Sequence, residues 1–501
     1  MNPFKKLASQ TAIYGMSSIV GRFLNYLLVP IYTRVFDRAQ YGEVSEFYAY
    51  TGFLTVLLTF GMETGYFRFS KTEDESKTYS TTLIFLSIVS VIFGISSFLL
   101  SPRLGSVLHY SDHLEYFGWF GLILAFDTIG AIPFARLRNE NKAVQFAGIK
   151  IIEILVNIGL NIFFIVICRG AFDRDPSSFF GKFYSPAIGV GYVFISNLAA
   201  SSVKLFLLSP QLSGIALGFD RVIFRKILSY SLPMVVIGLA GVTNEMLDRA
   251  MLPHFLTGTI EQNREQTGIY GGCYKMSILM SLFIQAFRFA AEPFFFAHSD
   301  KEGSRQTIAN VMTWFVIFCC FIYLMVTLYM DFFARFIGPG FRVGLPIVPI
   351  LLLANLFLGV YVNLSVWYKL TDRTMLGAYV SIGGAIVTIV LNILWIPTMG
   401  YMGSAWATLI CYGLMALVSY ILGQKYYPVP YEALKVCAYI ALVVILYLIF
   451  ARATEGLTHT IKYLSATVFM MLFAAFVYII DGKSLPKLLS NPSQPSPKER
   501  A

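Results

Sequence analysis

Arg22 is a full charge inside an apolar stretch, and this placement needs a chemical reason. Residues 9–32 are long enough to cross a bilayer as a helix, which needs roughly 20 mostly apolar residues. An arginine at the centre of such a helix costs about 2.5–3.5 kcal/mol on insertion scales. Its position, about 20 Å into the helix at 1.5 Å per residue, leaves neither membrane surface within easy reach. We therefore expect Arg22 to face a polar cavity rather than lipid.

The seventh predicted span, residues 227–252, holds three charged residues on one helix face. Glu245, Asp248 and Arg249 are spaced i, i+3 and i+4, and residues at this spacing are neighbours on a helix surface. One interpretation is a proton- or cation-responsive pair of carboxylates beside a fixed cation. The alternative is an internal ion pair between Glu245 and Arg249 that neutralises itself and has only a structural role.

Other predicted spans also hold acidic residues, and ionisable residues inside a membrane segment are candidates for ion or substrate pathways. Asp127 stands alone in the fourth span, and Glu153 lies near the inner end of the fifth span beside Lys150. We expect the ion-coupling candidates to be Asp127, Glu153, Glu245 and Asp248.

Cations recur in the second half of the chain. Lys275 lies a few turns into the eighth span, and Arg288 approaches the inner end of the same helix. An ion pair with Glu292, four residues further on, would also explain Arg288. Arginine suits a phosphate or pyrophosphate because its planar fork donates bidentate hydrogen bonds. We expect an anion-binding cleft, with a tyrosine for sugar contact, formed by Arg22, Lys275, Arg249, Arg288 and Tyr26.

The elements that hold these charges are predicted to be transmembrane helices. Of the 501 residues, 56% are hydrophobic and 13% are charged, whereas soluble domains have about 25% charged residues. Recurring apolar runs predict an all-α polytopic membrane protein with about 14 transmembrane helices. The predicted organisation is a cytoplasmic N-terminus (1–8), an N-terminal six-helix lobe (9–208), a cytoplasmic linker (209–226), a C-terminal six-helix lobe (227–424), two accessory helices (425–482) and a disordered cytoplasmic tail (483–501).

Short repeated phrases support two related halves. Tyr41-Gly42 has a counterpart in Tyr270-Gly271, and the Asn-containing segment Asn157–Phe164 has one in Val390–Ile396. The members of each pair are separated by six predicted spans, an even number, so the two bundles form a parallel repeat. Such repeats are related by an axis along the membrane normal, with the substrate site at their interface. Lysine and arginine are more frequent on the side of the N-terminus, so both termini are expected in the cytoplasm.

Several function classes are not favoured. The net charge of +10 is explained by the loop bias rather than by nucleic-acid binding. The six cysteines lack metal-ligand spacing, and no P-loop motif is present. We expect no cofactor, no metal site and no catalytic residue. A membrane glycosyltransferase or polymerase would need acidic residues near the surface, and Asp173 and Asp175 in the predicted outer loop are the candidates for that alternative.

Several short motifs resemble those of bacterial polysaccharide biosynthesis proteins. These are Wzx-like flippases of the multidrug/oligosaccharidyl-lipid/polysaccharide (MOP) superfamily, which is MATE-like. The resemblance covers nearly the whole chain. The motifs are Arg22, Pro30, Thr33-Arg34 and Tyr41-Gly42 at the opening, and Asp248-Arg249 with Tyr270-Gly271 in the seventh and eighth helices.

This resemblance implies two six-helix bundles in a V shape in a bacterial inner membrane. It implies that alternating access flips undecaprenyl-pyrophosphate-linked oligosaccharide, an O-antigen, capsule or exopolysaccharide repeat unit. The pyrophosphate would be bound by Arg22, Lys275 and Arg249. The coupling cation would be H+ or Na+, and glycan polymerase or assembly proteins would be partners. The alternatives on the same scaffold are a lipid II flippase and a Na+- or H+-coupled drug antiporter, whose carboxylates would govern the cavity.

Overall fold

The fold is described from a computed structural model at residues 15, 19–212, 218–298 and 304–482, without the side chains of 292–294 and 296–298. All regular secondary structure in these residues is helical, which confirms the predicted all-α polytopic class. Ten described helices are long and apolar enough to cross a membrane, so the predicted count of about 14 is not confirmed. The predicted N-terminus 1–8 and the tail 483–501 lie outside the described residues.

The first predicted span is interrupted. Residues 19–26 are helical, Leu27 and Leu28 form a turn, and helix α1 (Val29–Val35) follows. Pro30 lies in the first turn of α1, where its missing N–H is tolerated because these donors have no partner within the helix. The expectation of one helix over 9–32 is therefore wrong within its described part, and Arg22 lies on a separate helical segment from α1.

Seven longer helices follow in the N-terminal part of the chain. They are α2 (Arg38–Thr59), α3 (Met62–Phe69), α4 (Glu75–Leu99), α5 (Ser101–Leu108), α6 (Glu115–Asn139), α7 (Ala143–Asn161) and α8 (Gly191–Leu207). α7 continues through a π-helical segment, Ile162–Cys168, into one further turn, Arg169–Phe172. π-Helical turns are rare and are frequent at functional sites.

Nine helices of at least 15 residues follow among the described residues. They are α9 (Arg221–Phe255), α10 (Ile260–Tyr274), α11 (Ile278–His298), α12 (Ser304–Leu328), α13 (Val348–Leu364), α14 (Thr374–Met399), α15 (Tyr401–Tyr426), α16 (Ala433–Ala453) and α17 (His459–Asp481). A 3₁₀ turn, Lys275–Ser277, joins α10 to α11.

α9 holds the predicted charged face. It has 35 residues, about 52 Å of helix, and therefore exceeds the roughly 30 Å hydrocarbon core of a bilayer. Asp220 caps its N-terminus by accepting hydrogen bonds from the backbone N–H groups of Val222 and Ile223, and these bonds lower the pKa of the Asp220 carboxyl. The helix continues through Pro233 and ends just after His254.

α2 and α10 are in close backbone contact. A methyl group added at Gly268 of α10 would overlap the carbonyl oxygen of Arg38, and one added at Gly42 of α2 would overlap that of Arg264. Small residues at such contacts let two helices approach closely, as is common in membrane proteins. This contact joins an element of the first predicted half to an element of the second.

The chain divides into two compact units. The first comprises 1–300 and 336–427, and the second comprises 301–335 and 428–501. Within the second unit, α12 packs against both α16 and α17. Nothing in the hydropathy pattern distinguishes α12 from its neighbours in the chain. The predicted division into two six-helix lobes and two accessory helices stays a prediction.

Candidate functional site

A cavity of about 450 Å³ lies in the first unit, between residues 19–26 and helices α6, α7, α8 and α11. Its volume falls within the roughly 300–1,000 Å³ that is typical of ligand sites. The cavity brings together three residues that the sequence predicts for the site: Arg22, Asp127 and Glu153. The full lining is Gly21, Arg22, Asn25, Asp127, Arg138, Phe146, Lys150, Glu153, Ile154, Asn157, Asn197, Ala200, Ser201 and Phe289.

Arg22 is an exposed residue on the wall of this cavity. Within the described part of the chain, its guanidinium has no ion-pair or hydrogen-bond partner. Asn25, Asn157 and Asn197 also line the cavity and supply amides, which can donate and accept hydrogen bonds. The wall therefore combines a cation that no described residue neutralises with groups suited to hydroxyl-rich molecules.

Asp127 is not isolated, because Lys204 of α8 supplies a cation. The Lys204 ammonium lies 2.5 Å from Asp127 Oδ1 and 2.8 Å from Glu153 Oε1, and the Lys204 side chain is only 4% exposed. Lys150 Nζ lies 2.9 Å from the other oxygen of Glu153, and the Ser201 hydroxyl donates to Asp127 Oδ1 at 2.6 Å. Two carboxylates and two ammonium groups thus form one network on the cavity wall.

Lys204 was missed by reasoning from the sequence. It lies four residues before the end of the predicted sixth span, where a lysine is readily explained by reaching for the membrane surface. Its spacing of three from Ser201 places both on one helix face, and this was the available signal. The pairing with Asp127 and Glu153 depends on which helices are neighbours, and a sequence pattern does not contain that information.

A second charged group lies on α9 and α10. Asp248 is buried and accepts hydrogen bonds from the Tyr270 hydroxyl and, at 2.8 Å, from the Arg249 backbone N–H. Arg249 Nε is 3.9 Å from Asp248 Oδ1, beyond hydrogen-bonding distance, and its guanidinium lies 3.7 Å over the Tyr274 ring. Arg249 Nη2 is buried and has no hydrogen-bond partner among the described residues. Part of its donor capacity is therefore unused.

Glu245 and Lys275 complete this group. Glu245 is exposed, and the internal Glu245–Arg249 ion pair offered as the alternative is not formed among the described residues. Lys275 begins the 3₁₀ turn after α10 and is half-buried. Arg22, Arg249 and Glu245 are close enough to act electrostatically on its ammonium group. The structure therefore brings three predicted cations into one electrostatic neighbourhood with a single exposed carboxylate.

Tyr26 and Arg288, which were predicted to bind substrate, do not line the cavity either. The Tyr26 ring stacks on Phe336 at 4.2 Å between ring centroids, so its face is already in contact. Arg288 is exposed, and its guanidinium lies 6.0 Å from the ring centroid of Phe289, which is itself a lining residue. The predicted partner Glu292 has a side chain outside the described residues. The roles of Tyr26 and Arg288 in substrate binding stay predictions.

A third polar group was not predicted. Glu46 of α2 is 1% exposed and accepts hydrogen bonds from Tyr110 at 2.8 Å and from Tyr50 at 2.6 Å. His254 at the end of α9 lies 3.1 Å from the same carboxylate. Beside it, Arg264 of α10 pairs with a further α2 carboxylate and lies 3.9 Å over the Tyr110 ring. This group ties α2 to α9 and α10, and none of its members lines the cavity.

Metal binding finds no support in the described residues, where no group of three or more His, Cys, Asp or Glu side chains could hold a metal ion. The cavity and the second charged group have cations in excess of free carboxylates. This excess of positive charge favours an anionic ligand over a cationic one.

Comparison with known proteins agrees with this fold. The chain is similar to a solved structure of the lipid II flippase MurJ in an inward closed conformation, with TM-score 0.71, 14% identity, and coverage of 92% of this chain and 98% of that one. It is also similar to an inward-facing multidrug resistance MATE transporter of the MOP superfamily, with TM-score 0.61, 14% identity, and coverage of 83% and 94%. At this identity the likeness shows the fold alone. No curated protein sequence matches the chain.

The fold is that of a multi-pass membrane protein of the MurJ and MATE type. The model of the family described as polysaccharide biosynthesis protein matches residues 7–298. This match covers more than half of the 501 residues, so the chain belongs to the polysaccharide biosynthesis protein family. The family expected from the opening motifs is thereby confirmed.

Proposed function

We propose that this protein is a flippase for undecaprenyl-pyrophosphate-linked oligosaccharide, an O-antigen, capsule or exopolysaccharide repeat unit. It would work by alternating access in the bacterial inner membrane, with both termini in the cytoplasm. The observation that supports this most directly is that Arg22 lines the cavity and has no ion-pair or hydrogen-bond partner among the described residues. A pyrophosphate carries several negative charges and accepts bidentate hydrogen bonds from guanidinium groups.

The lining of the cavity is consistent with the oligosaccharide part of the proposed substrate. Its asparagines and Phe289 are the side chains that hydrogen-bond hydroxyl groups and pack against the apolar faces of sugar rings. Because the spans face lipid, a polyprenyl tail could stay in the bilayer while the head group enters the cavity. MurJ, with a similar fold, is described as a lipid II flippase, and lipid II is a second candidate substrate.

A cation-coupled drug antiporter is the alternative on the same fold, because the MATE structures are described as multidrug transporters. Its cavity would need carboxylates that are free to bind a cationic drug or a coupling ion. Asp127 and Glu153 are instead paired with lysines. The four predicted coupling carboxylates are retained as candidates for H+ or Na+ coupling of the flippase.

The test is native mass spectrometry of the protein purified in mild detergent, with Arg22→Ala and the matched variant Arg103→Ala. Arg103 is an exposed residue of α5 that does not line the cavity, so its loss removes the same charge elsewhere. We expect a polyprenyl-pyrophosphate glycan with the parent and with Arg103→Ala. A charged hydrogen bond is worth about 1.5–3 kcal/mol, so Arg22→Ala should lower the affinity for the glycan lipid by roughly tenfold or more.

The same experiment separates the alternatives. Phospholipid as the only ligand of all three proteins would contradict the proposal and favour the drug antiporter, for which ion-driven efflux is the assay. A glycan that binds the parent and Arg22→Ala equally would show that Arg22 does not hold the pyrophosphate.

A further inference from the structure

Lys204 bridges two carboxylates of the cavity wall. Its ammonium is 2.5 Å from Asp127 Oδ1 and 2.8 Å from Glu153 Oε1, so it bridges carboxylates from two different helices. The hydroxyl of Ser201 donates to the same oxygen of Asp127. Carboxylate and hydroxyl oxygens are the donors that hard cations take in proteins. Without the ammonium group, two carboxylate oxygens would face this point, and a hydroxyl oxygen would lie beside one of them.

The charges of the network balance. Lys150 lies 2.9 Å from the second oxygen of Glu153, so two carboxylates face two ammonium groups. The remaining charged residues of the cavity wall are Arg22 and Arg138, and Arg138 is ion-paired with Glu63. A Na+ or K+ ion approaching Asp127 and Glu153 would therefore meet a neutral network, with Arg22 as a further cation on the same wall. Coulomb interaction opposes such binding, most strongly where water is excluded.

We propose that Lys204 is a tethered counter-cation, which occupies the place of an alkali cation between Asp127 and Glu153 and makes this pair insensitive to free Na+. The carboxylates then act in the transport cycle only by exchanging protons or lysine partners. Lys204 is a specificity-determining residue in this sense, because its presence decides which ions this pair of carboxylates can take. The inference narrows the proposed function at one point, because it leaves Asp127 and Glu153 as candidates for H+ coupling but not for Na+ coupling, and it does not depend on the identity of the glycan.

The test replaces the ammonium by an apolar group of similar length, Lys204→Met, in the full-length purified protein. The melting temperature Tm is measured at pH 8, where carboxylates are ordinarily ionised, in NaCl and in choline chloride at equal ionic strength. A ligand that binds only the folded state raises Tm with its concentration. We expect no Na+-dependent rise for this pair in the parent and a saturable rise in Lys204→Met.

Two further variants make the result specific. The double variant Lys204→Met/Asp127→Asn lacks one of the two carboxylates and should lose most of the Na+ response of Lys204→Met. Any Na+ site elsewhere in the protein contributes equally to all variants and cancels in this comparison. A folded Lys204→Met protein without a Na+ response would overturn the proposal.

The parent protein offers an independent route if Lys204→Met does not fold. Asp127→Asn alone should leave the Na+ dependence of Tm unchanged, because the pair takes no Na+ while Lys204 is present. A Na+ response in the parent that disappears in Asp127→Asn would show that free Na+ binds here in spite of the lysine. These measurements need no glycan substrate, so their failure is distinct from failure of the flippase assignment.

Discussion

At the scale of single residues, Arg249 has a carboxylate near its positive charge and also a hydrogen-bond donor without a partner among the described residues. Its nearest carboxylate, Asp248, accepts hydrogen bonds from Tyr270 and from the Arg249 backbone but none from the guanidinium fork. The carboxylate lowers the cost of burying the charge, while Nη2 keeps a donor without a partner. A buried donor of this kind is costly unless a ligand or water satisfies it. The fork is therefore in a state suited to receive an anion.

Asp248→Asn tests the division of roles between these two residues. Asparagine keeps the shape and one acceptor oxygen but has no charge and does not titrate. We expect the glycan lipid to bind at least as tightly, because Arg249 loses its nearest counter-charge, while the response of transport to pH and Na+ is lost. The measurement is flipping in proteoliposomes across pH and Na+ concentration, together with substrate affinity.

The matched control is Asp112→Asn, which removes an exposed carboxylate from the loop between α5 and α6. It should behave as the parent in both assays. If Asp248→Asn and the parent respond identically to pH and Na+, Asp248 has no part in ion coupling.

At the scale of elements, glycines fix the distance between α2 and α10. Gly42 and Gly268 leave room for the backbone of the opposite helix, and a third glycine, Gly271, lies against Ser45. In lipid, close packing and polar contacts take the place of the hydrophobic driving force between helices. The buried carboxylate of Glu46, with Tyr50, Tyr110 and His254 around it, adds such polar contacts nearby.

Gly268→Ala should therefore destabilise the protein, because its methyl group would overlap the Arg38 carbonyl oxygen and force the helices apart. Overpacking of this kind typically costs about 1–3 kcal/mol. The measurement is Tm in detergent, compared with Gly148→Ala on α7, where a methyl group meets nothing within 4 Å. Equal melting temperatures for the two variants would show that α2 and α10 can accommodate a methyl group at this contact.

The sequence predicts the helices better than it predicts the contacts between them. Hydropathy predicts helices, and the unusual position of Arg22 predicts that it avoids lipid. Periodicity places Glu245 and Asp248 on one face but does not reveal that one is exposed and the other buried. Which helices are neighbours is decided by three-dimensional packing. The ion pairs of Lys204 and the packing of α12 against the last two helices depend on that packing, so the sequence pattern does not contain them.

At the scale of the whole molecule, transport by alternating access requires that contacts between the two predicted halves break and re-form. Within the first unit, α2 and α10 supply such a contact through the Arg264–Glu43 ion pair at 3.2 Å and the neighbouring glycines. Rigid-body motion of one bundle against the other is the general mechanism for transporters built from repeats. If the proposed cycle is correct, this contact cannot persist in every state.

A reversible cross-link between α2 and α10 tests this requirement. The variant is Glu43→Cys/Arg264→Cys in a Cys437→Ser background, since Cys437 is the one exposed cysteine of the six and the other five are buried. A cleavable bis-maleimide linker should stop glycan flipping in proteoliposomes, and reduction of the linker should restore it.

The control pair Glu261→Cys/Glu265→Cys, both on α10 four residues apart, takes the same linker without joining the halves and should remain active. Flipping that continues in fully cross-linked protein would mean that the halves do not part at this contact. Because the uncross-linked double variant has already lost the ion pair, the comparison before and after reduction separates the effect of the tether from the effect of the lost charges.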